Sequence, residues 1–277
     1  MKSIALTLLI VAFALGLIAQ SEKPKSDTTK VSLGDTQILI VDDKPDTDSL
    51  DVDWDNSDLS DSDKKYELTH WGGIDIGVNV LLTKSGSSDL DSADQWLQLD
   101  YARSLSFRFN LFEEKIRIYK DYVGLIVGAG LTYNSYGLKK NVSLETNDSL
   151  GTYAVVVPDS VADYSKNKLR ASYINIPLML EFNTSADNDK SFHIAAGVIG
   201  GWKMGSIAKQ KWEDGDDKNS IRRKADYNMT PFTLDLTARV GYKNFTAFAT
   251  YGVTPLFKKD QGPEVYPLTV GIQFIPF

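Results

Sequence analysis

GIDIGVNVLLT, residues 73–83, alternates two kinds of side chain almost without a break. Ile74, Ile76, Val78, Val80 and Leu82 share one parity; Asp75, Gly77, Asn79 and Leu81 share the other. A period of two belongs to a β-strand with one face in an apolar medium and the other among polar groups. An amphipathic helix would instead space its apolar residues three and four apart.

The pattern recurs to the end of the chain. The second segment, Tyr101 to Phe112, sets Leu105, Phe107, Phe109 and Leu111 against Ser104, Ser106, Arg108 and Asn110. The third runs from Tyr122 to Gly137 and the fourth from Leu169 to Asn183. The fifth is Ser191 to about Lys209, and the sixth is Phe232 to Tyr242. The seventh, Asn244 to Phe257, has less distinct faces; the eighth is Tyr266 to Phe277. The fold class expected is all-β, an eight-stranded antiparallel transmembrane β-barrel over residues 71–277.

Connection lengths give the barrel a direction. About 17 residues (84–100), about 30 (138–168) and about 20 ending near Pro231 separate three strand pairs. The connections at 113–121, at 184–190 and at Lys243-Asn244 are short. Outer-membrane barrels have long extracellular loops and short periplasmic turns. An even strand number then puts both termini on the periplasmic side. Aromatic residues stand at or near the strand ends, Trp71, Tyr101, Phe112, Trp202, Phe232 and Phe257 among them, as expected of rings at two membrane interfaces. A soluble β-sandwich explains the long and short rhythm poorly.

What precedes the barrel differs in kind. Residues 1–19 read as a signal peptide, with Lys2 ahead of an apolar run from Ile4 to Leu17 and a small residue, Ala19, before the cut. That run is short for a spanning helix. Residues 20–70 carry 14 Asp/Glu against 6 Lys, whereas residues 71–277 carry 23 of each sign. The acidity therefore sits in an N-terminal tail, expected to be disordered and periplasmic because it has too little apolar surface to offset its ordering entropy. Within it, Gln37 to Val41 is a short β-prone run. Asp51, Asp53 and Asp55 have the spacing of a calcium loop, but Asn56 stands where Gly is needed and Ser62 where a closing Glu is needed. The chain has no cysteine, which excludes disulfides, thiolate metal sites and cysteine nucleophiles.

Six charged residues take the inward parity: Asp75, Arg108, Glu181, Lys203, Asp235 and Arg239. Side chains fill an eight-stranded lumen, so these charges are expected to pair with one another as a structural network. A barrel enzyme acting on lipid would need a base. His70 precedes the first strand; His193 follows a short turn, with Asp189 and Ser191 nearby in sequence. Both read as structural. No phosphate-cradling loop, zinc-spaced cluster or basic nucleic-acid patch is present, so no cofactor, metal or nucleic-acid partner is expected.

Four stretches carry a resemblance. "HWGGIDIGVN" (70–79), "YINIPLMLEFN" (173–183), "GVIGGWKMGS" (197–206) and "PEVYPLTVGI" (263–272) resemble the PorT-like outer-membrane β-barrel family of Bacteroidetes. The resemblance implies an outer-membrane barrel in a Gram-negative bacterium. Some relatives assist secretion of other proteins, and the family offers no catalytic motif to carry over. Asp-Ser followed by an apolar residue, an O-glycosylation tripeptide in that phylum, occurs at 48–50, 91–93, 148–150 and 159–161. The function expected is a non-enzymatic structural or adaptor role in envelope assembly or protein secretion. Its partners would be outer-membrane lipid and envelope proteins met by the loops or by residues 20–70. A narrow porin-like transporter and a lipid-modifying enzyme using His193 are the alternatives.

Overall fold

The computed structural model describes residues 28–33, 36–41, 70–147, 150–185, 191–215 and 217–274. The expected leader, the acidic run with its calcium-like carboxylates, Asp189 and the closing Phe277 lie outside the described residues. Within the tail, β1 (Thr28–Leu33) and β2 (Thr36–Val41) form an antiparallel hairpin. The β-prone run 37–41 is most of its second strand.

The remaining strands are β3 (Gly73–Thr83), β4 (Leu105–Tyr119), β5 (Val123–Gly137), β6 (Val142–Asn147), β7 (Gly151–Val156) and β8 (Tyr164–Asn183), followed by β9 (Phe192–Asp214), β10 (Asp217–Lys224), β11 (Phe232–Tyr242), β12 (Phe245–Gly252) and β13 (Val265–Phe274). Hydrogen bonds link them in the order β10-β9-β11-β12-β13-β3-β4-β5-β8, and β8 pairs back onto β9. Without β10 this is a closed antiparallel ring of eight. Closure removes the sheet edges that would otherwise leave backbone groups unpaired in lipid.

The two faces are inverted relative to a soluble protein. Asp75, Asn79, Glu181 and Gln273 are at most 1% exposed, while Ile176, Trp202 and Phe232 are at least 60% exposed. A ring of exposed apolar residues with a polar interior is stable only where lipid is the outer solvent. This outward apolar belt is what the alternation in the sequence encodes.

β3 and β11 start and end where the alternation does. β4 runs on to Tyr119, past the expected end at Phe112, because a register shift between Asn110 and Phe112 resets its parity. Leu111 and Phe112 both face out, and Lys115 consequently faces in. β8 begins at Tyr164 and β9 ends at Asp214, both beyond the expected limits. There the strands have left the apolar belt, so apolar alternation stops while the ladder continues. β10 pairs with that extension from Asp217 opposite Asp214 to Lys224 opposite Ile207. β12 ends at Gly252, short of the expected Phe257. Its faces blur in the sequence because Phe248 points into the lumen and is 4% exposed.

At the loop end, a packed apolar cap closes over the ring. Leu97 and Leu99 come from the β3–β4 loop, Val142 and Leu144 from β6, Met229 from the β10–β11 loop, and Leu256 and Phe257 from the β12–β13 loop. They pack on Leu81, Tyr136, Leu169 and Val265 at the strand tops. Phe257 is thus a core residue, 1% exposed, and not an interface aromatic. Trp71 departs from expectation in the same way at the other end: it is fully buried inside the ring. Tyr101, Phe112, Trp202 and Phe232 do face outward.

Candidate functional site

The lumen is filled in tiers. At the turn end, His70 and His193 stack with ring centroids 3.6 Å apart and planes inclined by 16°. His70 Nδ1 lies 3.3 Å from Glu181 Oε2, and Lys115 Nζ donates to Glu181 Oε1 at 3.1 Å. Asn183 Nδ2 also donates to Oε1, at 2.9 Å. His193 Nε2 meets Thr246 Oγ1 at 2.8 Å. β4, β8, β9 and β12 each supply one side of this tier, and the segment before β3 supplies the second imidazole.

Trp71 forms the floor above it. Its ring packs with Ile126, Met179 and Ile199. Its backbone is tied on two sides. Glu113 Oε2 accepts the N–H groups of Trp71 and Gly72 at 3.0 and 2.9 Å. Gln273 Nε2 donates to their carbonyls at 2.6 and 3.1 Å. Residue 128 must be glycine-sized, since a Cβ there would come within 3.1 Å of the Trp71 ring and overlap the Phe112 carbonyl.

The middle tier is ionic. Asp75 Oδ2 accepts from Arg239 Nη2 at 2.6 Å and from Arg108 Nη1 at 3.2 Å, while Asn110 Nδ2 donates to Oδ1 at 3.1 Å. Arg239 Nη1 donates to Gln273 Oε1 at 2.9 Å. The Arg239 guanidinium stands 4.5 Å from the Trp71 ring centroid and 5.3 Å from that of Phe248. Two desolvated guanidiniums sharing one carboxylate are tolerable only with this density of partners and aromatic faces. The tier blocks the lumen with side chains that each have several anchors.

Above it the lining is neutral and polar. Asn79 Oδ1 accepts from Thr269 Oγ1 at 2.7 Å, and Asn175 donates to Thr132. A cavity of about 30 Å³ remains between Arg108, Tyr136, Tyr173, Asn175, Thr250 and Asp235. At ~10–15 Å³ each it holds roughly two waters, too few for an organic solute. The apolar cap closes it from the loop side.

The six inward charges therefore occupy three places. Asp75, Arg108 and Arg239 meet. Asp235 faces the cavity and, among the described residues, has no hydrogen-bonded partner for its carboxylate. Glu181 belongs to the histidine tier. Lys203 does not join the lumen charges: it turns to the loop end, where Nζ binds Asp226 and donates to the Met229 carbonyl at 2.7 Å. The register shifts just beyond it, where Tyr173 pairs with Lys203 but Ser172 pairs with Gly205. Lys258 Nζ reaches the other Asp226 oxygen at 2.6 Å, so Asp226 clamps two loops. Burial opposes ionisation of Asp226, but these two lysines outweigh it and hold its pKa below the ordinary 3.8.

Sequence reading did not find Lys115, Trp71 or the pairing of the two histidines. The doublet Leu111-Phe112, two apolar residues where alternation asks for one, was the available signal for Lys115. His193 is fully buried, and Ser191 Oγ donates instead to the Ser185 carbonyl at 3.3 Å. The base of the lipid-modifying alternative thus faces the lumen and does not meet lipid. Among the described residues no group of three or more His, Cys, Asp or Glu is arranged to hold a metal.

Residues 60–258 match the family model described as outer membrane protein beta-barrel domain. The chain belongs to this family. Two solved structures similar to this outer-membrane barrel are of Ail, the attachment invasion locus protein of Yersinia pestis, one in complex with the heparin analogue sucrose octasulfate. Each is 12% identical and covers 73% of this chain and 95% of its own, with TM-scores of 0.27 and 0.25. No curated protein matches the barrel.

Proposed function

We propose that this outer-membrane barrel is a closed, non-enzymatic scaffold of the PorT-like kind, serving as a structural or adaptor element in envelope assembly or protein secretion. One observation carries the reading. Among the described residues, the Asp75–Arg108–Arg239 tier fills the lumen with paired side chains, with Trp71 beneath it and the apolar cap above it. Work is then done by surfaces: the loop cap on the outside and the acidic tail on the periplasmic side. The long and short connections support this orientation, with both termini periplasmic. The tail, residues 20–70 after removal of the leader, is the segment that meets periplasmic partners.

Planar-bilayer recording of the purified full-length protein tests the closed lumen. Silence at moderate voltage is expected; stable open steps would establish the narrow-transporter reading instead. Co-purification from crosslinked cells, with and without residues 20–70, tests the adaptor role. Partners that depend on the tail are expected, and an identical set in both samples would remove the tail from the proposal.

A further inference from the structure

Where β8 and β9 leave the apolar belt, the outward face of the sheet turns basic. Lys168 pairs with Lys209, which pairs in turn with Arg222 of β10. One step farther out, Lys166 pairs with Lys211; one step nearer the belt, Arg170 and Lys224 flank Ile207 on its two sides. Directly paired residues share a face. That face is the outer one, because the alternate residues Leu169, Ala171 and Ala208 are buried in the cap. Like charges placed directly opposite destabilise a sheet. Three strands nevertheless stack cations in register, and among the described residues none of them is in an ion pair.

The location narrows what would neutralise them. On β8 the outward side chains from Phe182 to Ile174 are apolar, about 20 Å of bilayer for a tilted strand. Beyond Ile174 the outward residues are Ser172, Arg170 and Lys168, the two cations about 9 and 14 Å past that last apolar residue by the same rise and tilt. That is headgroup depth. Arg170 is held at the rim by the Tyr133 ring, 5.6 Å from its guanidinium, and its Nε is buried without a partner. A groove beside it is bounded by Tyr133, Met204, Ile207 and Lys224, so apolar and cationic groups adjoin.

We propose that this three-strand face binds the phosphate-bearing glycolipid headgroups of the outer leaflet, with Arg170, Lys168, Lys209 and Arg222 meeting phosphate. Arg and Lys donors satisfy phosphate oxygens through charge-assisted hydrogen bonds. The proposal rests on the orientation given under Proposed function, with the loops outside. Continuity with the lipid-facing belt favours a membrane lipid over a soluble polyanion.

The full-length protein in phosphatidylcholine nanodiscs would be titrated with bisphosphorylated lipid A, with dephosphorylated lipid A and with heparin. Saturable binding of the bisphosphorylated lipid is expected, weakened by salt. Removing four cations in K168Q/R170Q/K209Q/R222Q should weaken it at least about tenfold, since each cation near an anionic surface adds to the attraction. K139Q/K140Q, elsewhere on the loop end, should leave it unchanged. Heat-modifiable migration verifies that each variant is folded. Equal binding of both lipids, or an unchanged quadruple variant, overturns the proposal; so does preference for heparin through the same residues. Orientation is read separately. The chain has no cysteine, so S88C in the exposed β3–β4 loop can be labelled on intact cells with an impermeant maleimide. Failure to label overturns the orientation, whatever the nanodisc result.

Discussion

His70 and His193, remote in sequence, lie face to face inside the barrel with their centroids 3.6 Å apart. One comes from the segment entering the first barrel strand and the other from the start of β9. Their contact anchors the entry segment across the lumen. Gly241 makes room for it, because a Cβ at that position would overlap the His193 ring and the Phe245 carbonyl. Gly241→Ala should destabilise the barrel by about 1–3 kcal/mol through overpacking. Thr246→Val, which removes the hydrogen bond of His193 without changing the volume much, should cost ~1 kcal/mol. Urea unfolding in lipid vesicles measures both, and a smaller loss for Gly241→Ala than for Thr246→Val would contradict the packing account.

The ionic tier predicts an asymmetry. Asp75→Asn leaves Arg108 and Arg239 buried without their shared counter-ion. Breaking such a site by removing one partner costs about 3–5 kcal/mol. Arg239→Met instead leaves Asp75 with Arg108, and methionine keeps apolar contact with Trp71 and Phe248; a loss on the order of 1–2 kcal/mol is expected from the hydrogen bonds removed. Equal losses would mean that Asp75 is not the hub.

The loop cap behaves as a core of its own. Phe257→Ala should cost ~3–5 kcal/mol at that end and act locally. Trypsin on reconstituted vesicles should cut faster at the exposed Lys139, Lys140, Lys258 and Lys259 in the variant. The spanning strands should remain protected. Uniform loss of protection would show that cap and barrel unfold as one unit.

The Asp226 clamp sets a pH window. Its folded pKa lies below the ordinary 3.8. The contribution of the clamp is therefore complete above 3.8 and is lost only as pH falls through the lowered value. Limited proteolysis of the 217–231 segment should be unchanged from neutral pH down to about 4 and should rise below it. Asp226→Asn should show the raised cleavage at all pH values. Asp226 and Lys258 are partly solvated, although Lys203 is nearly buried, so the effect concerns loop closure more than global stability.

Much of this was legible from residues 73–83 and their seven counterparts. Strand number, inward parity and the places of Asp75, Arg108 and Arg239 follow from period two, because a membrane enforces that period wherever a strand meets lipid. Its reach ends with the lipid. The outer parts of β8 and β9 lie past the belt, so nothing in their polarity marks them as strand. Lys115 was hidden by one extra residue, which reverses parity until the register shifts again after Arg117. Trp71 and Phe257 looked like interface aromatics because composition at a strand end does not say on which side of the wall a ring falls. The histidine stack joins two elements through the lumen, and no local pattern encodes such a contact.

Gln273 gives the closure of the barrel an order. Its strand is the last of the ring, and β3 beside it is the first. From inside the seam its amide binds the carbonyls of Trp71 and Gly72, the residues that thread into the lumen. The two ends of the wall are thus joined by the backbone ladder on one surface and by the inserted segment on the other. A wall that zipped shut with residues 70–72 outside would trap Gln273 and Arg239 without these partners, in a space that water can barely enter. Threading and sealing are therefore linked through one side chain, Gln273. The piece that plugs the lumen serves as the latch of the cylinder.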